Sequence, residues 1–167
     1  MTLEQRVQRL EDIEAIKYLQ GTYFRCLDSK LHEEIGECFA PDVTTAYSNG
    51  KLVFHSREEV VNFFTNGMPI QHLTMHQGHT PEITMTSETT ATSHWYLHDA
   101  LVLMDYDMGI TGGAIYKIDY KKIDGKWLIS WIGYNRTYEE RWFRKTPWNR
   151  NVTENMFDPK LTPNKAF

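Results

Sequence analysis

The segment LTMHQGHTPEITMTSETTATSHWYLHD, Leu73 to Asp99, decides the fold that we predict for this chain. It places two histidines, His76 and His79, just before a turn. A long strand of alternating character follows and ends in a carboxylate. A group that titrates near neutral pH would then stand beside a sheet with one polar and one apolar face. Such an arrangement is typical of a solvent-shielded pocket for acid–base chemistry.

The composition around this segment indicates one globular domain. The chain has 167 residues, of which 41% are hydrophobic and 24% are charged, and a chain of this length can bury most of its apolar surface in a single core. Aromatic residues make up 13%, which fits either a rich core or the apolar lining of a ligand cavity. We predict a single domain over residues 1–167, with residues 141–167 forming a C-terminal arm or lid.

Charge and hydropathy argue against several kinds of partner. The formal net charge is −4 and no basic stripe occurs, which disfavours nucleic acid. The first residues, MTLEQRVQRLEDIE, lack the apolar segment of a signal peptide, and no apolar run approaches the roughly 20 residues of a membrane span. We therefore expect a cytoplasmic protein without a membrane partner. Cys26 and Cys38 form no C-x-x-C motif and are expected to be buried.

The start of the chain is predicted to be helical. Thr2 and Gln5 form a capping box, which satisfies free amides at a helix start. The apolar residues that follow recur at spacings of three and four: Leu3, Val7, Leu10, Ile13, Ile16, Leu19 and Tyr23. This pattern predicts one apolar helix face up to Asp28–Ser29. A second helix is predicted over Leu31–Phe39, stopping at Pro41 because the residue before a proline avoids helical geometry.

A hairpin and a third helix are predicted next. Asn49–Gly50 separates VTTAYS from KLVFH, and Asn-Gly favours a type I′ hairpin turn. Ser56 and Glu59 form a second capping box, and the helix SREEVVNFFTN is predicted to end at Gly67 in the left-handed conformation.

The rest of the chain has a period of two, which predicts strands. These are EITMT, TTATSHWYLHDALVLM, GGAIYKIDYKKI and KWLISWIGYNRTYEE. Glu88–Thr89 is predicted to form the turn before the second of these strands, and Asp124–Gly125 the turn before the last. Helices grouped before antiparallel strands predict an α+β fold, in which one curved sheet wraps around helices.

Two candidate functional residues lie at the end of the first helix. Tyr23 is either a core tyrosine with a satisfied hydroxyl or a donor in a pocket. Asp28 is either a helix-end or turn residue or a functional carboxylate, since Asp-Ser is common in turns. The two positions lie about 140° apart on a regular helix, so they share a face only if the helix ends before Asp28.

His76 and His79 are candidates for a general base. The alternative is that they are histidines bonded to backbone groups. Their H-x-x-H spacing would also allow a metal site, but no clear third ligand and no helical H-E-x-x-H context accompany it, so we predict no metal.

Two charged residues fall on apolar faces of predicted strands. The alternation puts Asp99 on one face with Ser93, Trp95 and Leu97, while Arg136 shares a face with apolar residues of the last strand. A charge in such surroundings needs a partner. Asp99 and Arg136 are therefore candidates for an ion pair that either braces the sheet or contacts a substrate. Tyr47 ends the first hairpin strand and is expected to point its hydroxyl inward.

At these residues the sequence resembles a known family. The matching segments are YFRCLD (23–28), YSNGKLVFHS (47–56), MHQGHTPEIT with SETTAT (75–92), WYL-x-D (95–99) and GY-x-R-x-YEE (133–140). Together they span roughly residues 10 to 140 and resemble the SnoaL-like members of the nuclear-transport-factor-like superfamily, which includes scytalone dehydratase and ketosteroid isomerase. Among these, the sequence is most similar to the bile acid 7α-dehydratases of bile-acid-inducible operons. The resemblance implies a cone-shaped fold.

The resemblance also implies a function. It implies a homotrimer without cofactor that removes water from a 7α-hydroxy-3-oxo-4-ene bile acid, as the free acid or the CoA thioester. The catalytic positions carried over by the resemblance are Tyr23, Asp28 and His76. The substrate-binding positions are Tyr47, His79, Asp99 and Arg136.

The implied reaction assigns a role to each catalytic position. The proton on carbon 6 is acidic because the enone stabilises the dienolate left behind, which can expel the 7α-hydroxyl. We assign His76 as the base, Asp28 as the group that orients it, and Tyr23 as a donor to a substrate oxygen. Two alternatives remain: a double-bond shift of the ketosteroid isomerase type, and a non-catalytic module that binds an apolar ligand or another protein.

Overall fold

The computed structural model describes residues 1–146, 150–155 and 160–161, and its chain order is helices, one strand, helices and then a meander. The helices are α1 (Leu3–Asp28), α2 (His32–Gly36), α3 (Tyr47–Gly50) and α4 (Arg57–Gly67). The strands are β1 (Phe39–Ala46), β2 (His72–Met85), β3 (Thr90–Leu103), β4 (Met108–Ile123), β5 (Lys126–Phe143) and β6 (Arg150–Asn155).

The first helix begins and ends where the sequence predicts. Thr2 and Gln5 form both hydrogen bonds of the capping box, and the helix ends at Asp28. Its apolar face is buried only in part, and the first buried residue is Asp12. The Asp12 carboxylate accepts a 2.9 Å hydrogen bond from the Trp127 indole. Before that point Leu3 and the other apolar residues of the first turns are exposed.

The second helix is shorter than predicted. It covers five residues and ends before Pro41, which lies in β1. The chain is extended from Phe39 onwards, where β1 pairs in parallel with β5. The predicted helix over Leu31–Phe39 is therefore too long, because pairing with the sheet begins before the proline.

The connection at Asn49–Gly50 is a tight turn but not the predicted two-residue hairpin. Ser48, Asn49 and Gly50 all have positive φ, so α3 is a left-handed turn rather than a regular helix. The paired residues across it are Tyr47 and Leu52, and this pairing is an isolated bridge. The segment KLVFH runs beside the end of β1, where the Thr45 amide donates to the Phe54 carbonyl at 3.0 Å, but it forms no regular strand. The strand pairing of β1 is with β5.

The fourth helix has the predicted limits. Ser56 accepts a hydrogen bond from the Glu59 amide, which caps the helix start. Gly67 is its last residue and has no positive φ. Met68 follows as the C-cap, and its amide donates to the Phe64 carbonyl. The prediction of a left-handed glycine cap is therefore wrong.

The strands form one mixed sheet in the order β1-β5-β4-β3-β2, with β6 paired to β5. All the pairings except β1 with β5 are antiparallel. Asp124 and Gly125 have positive φ, as the predicted tight turn requires. The predicted α+β class is confirmed, with a curved, mostly antiparallel sheet around the N-terminal helices.

Strand β2 is longer than predicted and contains both histidines. It continues through Thr80 and Pro81 as a bulge, with Thr80 at φ 42°, instead of turning after His79. A proline is accommodated there because β2 is an edge strand and the bulge leaves the residue unpaired. The register places His76 opposite Asp99, and Asp99 opposite Gly112.

The core lies between the concave face of the sheet and α1. Gly78 permits a close approach here, because a Cβ at this position would lie 2.5 Å from the Phe24 ring. Both cysteines are buried and free, as expected. Part of the predicted C-terminal arm, residues 150–155, pairs with the end of β5. The predicted arm begins at residue 141, which still belongs to β5. Residues 147–149, 156–159 and 162–167 lie outside the described residues, so the arm or lid stays a prediction.

Candidate active site

A cavity of about 280 Å³ opens between the concave face of the sheet and helices α1 and α4. Each surrounding element contributes a side chain to it: Tyr23 from α1, Phe64 from α4, His76 from β2, Asp99 from β3 and Arg136 from β5. Most of the other lining residues are aromatic or aliphatic. The volume is near the lower limit for ligand sites, and a mainly apolar wall with a few polar groups is the usual composition of such sites.

The strongest polar contact at the cavity joins Asp28 to His76. The Nδ1 atom of His76 lies 2.7 Å from Oδ1 of Asp28, and the backbone amide of His76 donates to Oδ2 at 2.8 Å. The side chains are 9% exposed for His76 and 17% for Asp28. Asp28 is the last residue of α1, so the helix end and the edge strand together fix the imidazole ring.

These contacts keep Asp28 ionised and select one form of His76. Partial burial works to raise the pKa of Asp28, but hydrogen bonds from the His76 ring and amide and from Thr74 outweigh it, so the pKa lies below its ordinary value. A carboxylate accepts hydrogen bonds only, so Nδ1 of neutral His76 carries the proton. Nε2 then carries the lone pair, as a general base facing a ligand requires.

Two buried phenols, Tyr23 and Tyr47, also line the cavity. The Tyr23 hydroxyl donates to that of Tyr47 at 3.5 Å, and both side chains are almost fully buried. Burial raises the pKa of Tyr23 and Tyr47 well above the ordinary value, and the neighbouring phenol adds to the effect for Tyr23. These hydroxyls therefore stay protonated. Tyr47 can donate to an oxygen of a ligand directly, and Tyr23 can do so by exchanging its 3.5 Å contact with Tyr47 for the ligand.

The predicted pairing of Asp99 with Arg136 is present in the cavity wall. Nη1 of Arg136 donates to Oδ1 of Asp99 at 2.7 Å, and Nε lies 3.3 Å from Glu139. The three side chains are 3–8% exposed. Gly112 makes room for them, because a Cβ there would lie 2.8 Å from Nη1. The arginine is anchored from the other side by Asn49, which accepts a 2.7 Å hydrogen bond from its backbone amide.

The structure therefore gathers six of the seven predicted site residues. Five of them line the cavity: Tyr23, Tyr47, His76, Asp99 and Arg136. The sixth, Asp28, contacts His76. His79 does not join them, since it is exposed and pairs with the outward-facing Tyr96. Residues three apart in a strand point to opposite faces. The prediction that His79 binds substrate therefore conflicts with its position.

Sequence reasoning missed two buried polar residues of the wall. Tyr116 in β4 is 2% exposed and lines the cavity, and its alternation with the buried Ala114 and Ile118 was the signal for its inward position. Glu139 holds Arg136 and also accepts a 2.6 Å hydrogen bond from Arg141. A β-bulge at Thr137 changes the alternation before Glu139, so its inward position could not be read from a strict period of two.

Comparison with known proteins gives one family and several similar folds. Residues 8–131 match the family model described as a SnoaL-like domain. No helix in the described part of the chain has both the length and the apolar character needed to cross a membrane.

Three solved structures resemble the chain over most of its length. A type 2 hexachlorocyclohexane dehydrochlorinase, LinA, is 17% identical with a TM-score of 0.75, covering 82% of this chain and 93% of that one. LinA-type3 of Novosphingobium barchaimii LL02 is 18% identical with a TM-score of 0.74, covering 82% and 94%. A protein provisionally assigned as a scytalone dehydratase from Novosphingobium aromaticivorans DSM 12444 is 19% identical with a TM-score of 0.74, covering 80% and 89%. At such identities the likeness establishes the fold.

Proposed function

Since the chain belongs to the SnoaL-like domain family, we propose that it is a lyase that eliminates water by acid–base catalysis. The proposed substrate is a 7α-hydroxy-3-oxo-4-ene bile acid, as the free acid or its CoA thioester, and the product is the 4,6-dien-3-one. The observation that carries the proposal is the 2.7 Å contact between Asp28 and His76 at the wall of an apolar cavity. A fixed imidazole with a free Nε2 is the base that such an elimination needs.

The reaction proceeds by proton transfers alone. Nε2 of His76 takes the proton from carbon 6, and the electron pair of that bond forms a dienolate conjugated to the 3-oxo group. The dienolate then re-forms the ketone and the C6–C7 double bond, while the C7–O bond breaks. The departing hydroxyl takes a proton from the His76 imidazolium and leaves as water, which returns the imidazole to its neutral form. Oxidation states balance without any electron acceptor.

The buried phenols supply the second requirement of the mechanism. Tyr23 donates a hydrogen bond to a substrate oxygen on which negative charge develops, with Tyr47 beside it at 3.5 Å. In a site shielded from water such a donor stabilises charge more strongly than solvent does. Asp28 stabilises the imidazolium that forms at His76.

The similar structures support an elimination. Two of them are named as dehydrochlorinases and a third as a dehydratase, and each of these names describes removal of a small molecule from a substrate. The bile acid itself is proposed from the resemblance of the segments around Tyr23, His76 and Arg136. The cavity of about 280 Å³ encloses the reacting rings, so the side chain and any CoA group extend past its mouth.

Absorption spectroscopy tests this function directly. Purified protein is incubated with a 7α-hydroxy-3-oxo-4-ene bile acyl-CoA and, in parallel, with the free acid. We expect the absorption to move to longer wavelength as the enone becomes a dienone, with loss of one water by mass spectrometry. A conjugation change without loss of mass would indicate the isomerase instead. Binding of the steroid by folded protein without any turnover would indicate a non-catalytic module.

We also propose that the protein is a homotrimer. The outward face of the sheet exposes large apolar side chains, among them Leu73, Met75, Tyr96 and Tyr138. An exposed apolar surface of this kind is typical of a subunit contact. Light scattering coupled to size-exclusion chromatography should give three times the 19.7 kDa chain mass. A mass equal to that of one chain at micromolar concentration would contradict the proposal.

A further inference from the structure

The end of helix α1 contains a lysine at a position that favours glycine. The Leu31 amide donates to the Cys26 carbonyl at 2.9 Å and the Lys30 amide to the Leu27 carbonyl at 3.4 Å. This pair of bonds is the Schellman motif, in which the penultimate residue adopts left-handed geometry and is usually glycine. Here that residue is Lys30, with φ at 59°. Lys30 therefore has a side chain at a backbone position where glycine would be less strained.

The Lys30 side chain reaches the back of the catalytic pair. Its ammonium donates to the Thr74 hydroxyl at 2.9 Å, and that hydroxyl donates to Oδ1 of Asp28 at 2.8 Å. The same carboxylate oxygen lies 2.7 Å from Nδ1 of His76. Lys30, Thr74, Asp28 and His76 therefore form one continuous hydrogen-bonded chain.

The directions of the bonds in this chain are fixed by the Lys30 ammonium and the Asp28 carboxylate. An ammonium donates only, so the oxygen of Thr74 must accept from it. The hydroxyl proton of Thr74 is then directed to Asp28, which is held as an acceptor for both Thr74 and His76. The ammonium is separated from the imidazole by two groups, Thr74 and Asp28, that are joined by hydrogen bonds of 2.7–2.9 Å, and a positive charge in this neighbourhood disfavours a second one.

We propose that Lys30 and Thr74 are positioning residues that act through Asp28 on His76, fixing the carboxylate and opposing protonation of the imidazole. This inference rests on the proposed function in assigning His76 as the base. Asp28 alone would favour the imidazolium, which has no lone pair to accept a proton. The Lys30 ammonium opposes this effect of the carboxylate.

Other titratable groups surround the pair and stay in place when Lys30 is changed. Those that line the cavity are, by element, Tyr23 of α1, Tyr47 of α3, His72 of β2, Asp99 of β3, Tyr116 of β4, and Tyr134, Arg136, Glu139 and Arg141 of β5. His32 of α2 faces Lys30 itself: burial and the Lys30 charge lower the pKa of His32, so its resonance is followed in the same titration as that of His76.

The test is an NMR titration of the His76 ring in the free protein, assigned by comparison with His76→Gln. In Lys30→Gly we expect the pKa of His76 to rise, because the opposing charge is removed. Glycine suits the left-handed position, so this variant should unfold at no lower denaturant concentration than the wild type. The acidic limb of the kcat/KM profile should move to higher pH by the same amount.

Two further variants separate this role from a structural one. Thr74→Val removes the donor to Asp28 and should also raise the pKa of His76, whereas Thr74→Ser should restore the wild-type value. Lys126→Met removes an exposed lysine that pairs with Glu37 at 3.7 Å, and it should leave the His76 titration unchanged.

The titration remains informative whatever the substrate is. It needs no turnover. Absence of dehydration would contradict the proposed function, but the effect of Lys30 and Thr74 on His76 could still be tested. An unchanged pKa of His76 in Lys30→Gly, with the protein folded, would overturn the proposal that Lys30 acts on His76 through Thr74 and Asp28. A loss of stability in that variant without a change in the titration would show that Lys30 only supports the helix end.

Discussion

Replacing His76 by alanine is expected to lower kcat by about 10²- to 10⁴-fold, the usual effect of removing a general base. The variant keeps Asp28 in place, where Thr74 still donates to it at 2.8 Å, so the fold should survive. The KM should change less than kcat, because the imidazole acts mainly on the transition state. The measurement is the initial rate of dienone formation at saturating substrate, with circular dichroism to confirm the fold.

His79→Ala is the matched control for this experiment. His79 lies in the same strand, three residues away, but it is exposed on the opposite face. Its replacement should leave kcat and KM within about twofold of the wild type. Near-normal kcat in His76→Ala would remove His76 from the mechanism. A large loss in His79→Ala would show that the outward face takes part in the reaction.

Replacing Arg136 by alanine is expected to lower the free energy of unfolding by about 3–5 kcal/mol. The Asp99 carboxylate, which is 2% exposed, would lose its 2.7 Å hydrogen bond from the guanidinium. Glu139 would also lose its contact with the Arg136 guanidinium, but it would still be paired with Arg141. An unpaired buried carboxylate is costly because neither water nor another charge replaces the lost contact. Denaturant unfolding monitored by tryptophan fluorescence measures the change.

Arg25→Ala provides the comparison with an exposed pair. Arg25 lies 3.5 Å from Glu34, and both side chains are more than half exposed, so its loss should cost at most about 1 kcal/mol. In a double variant, Asp99→Ala with Arg136→Ala, the loss should be smaller than the sum of the single losses. Full stability of Arg136→Ala together with a raised KM would show that the arginine binds substrate rather than braces the sheet.

The sequence predicts the candidate site well where its residues follow a simple period. Ser93, Trp95, Leu97 and Asp99 face inward because the alternation of β3 continues without interruption from Thr90 to Asp99. The same alternation makes Asp99 a charge on an apolar face, and this is why it is predicted to pair with Arg136. The same rule, applied to β2, could also have excluded His79 from the cavity. Residues separated by an odd number of positions in a strand point to opposite faces, and His79 is three residues from His76.

The errors occur where pairing outweighs a local preference. The second helix is predicted up to Phe39, but that residue pairs with Ile129 of β5. The Asn49–Gly50 turn is predicted to join two paired strands, but its flanking segments share only the isolated Tyr47–Leu52 bridge, and the strand partner of β1 is β5, which lies far along the chain. In both places the sheet offers more hydrogen bonds and more burial than the local signal does.

By itself the sequence determined the α+β class, the first helix with its cap, the two-residue turn at Asp124–Gly125 and the inward face of β3. Each of these depends on residues close together in the chain, through caps, turn residues and periodicity. Only the tertiary structure decided that Lys30, Thr74, Asp28 and His76 form one hydrogen-bonded chain. That contact depends on where the end of α1 meets an edge strand whose bulge shifts its register. Such a meeting is set by packing of the whole core, which no local pattern encodes.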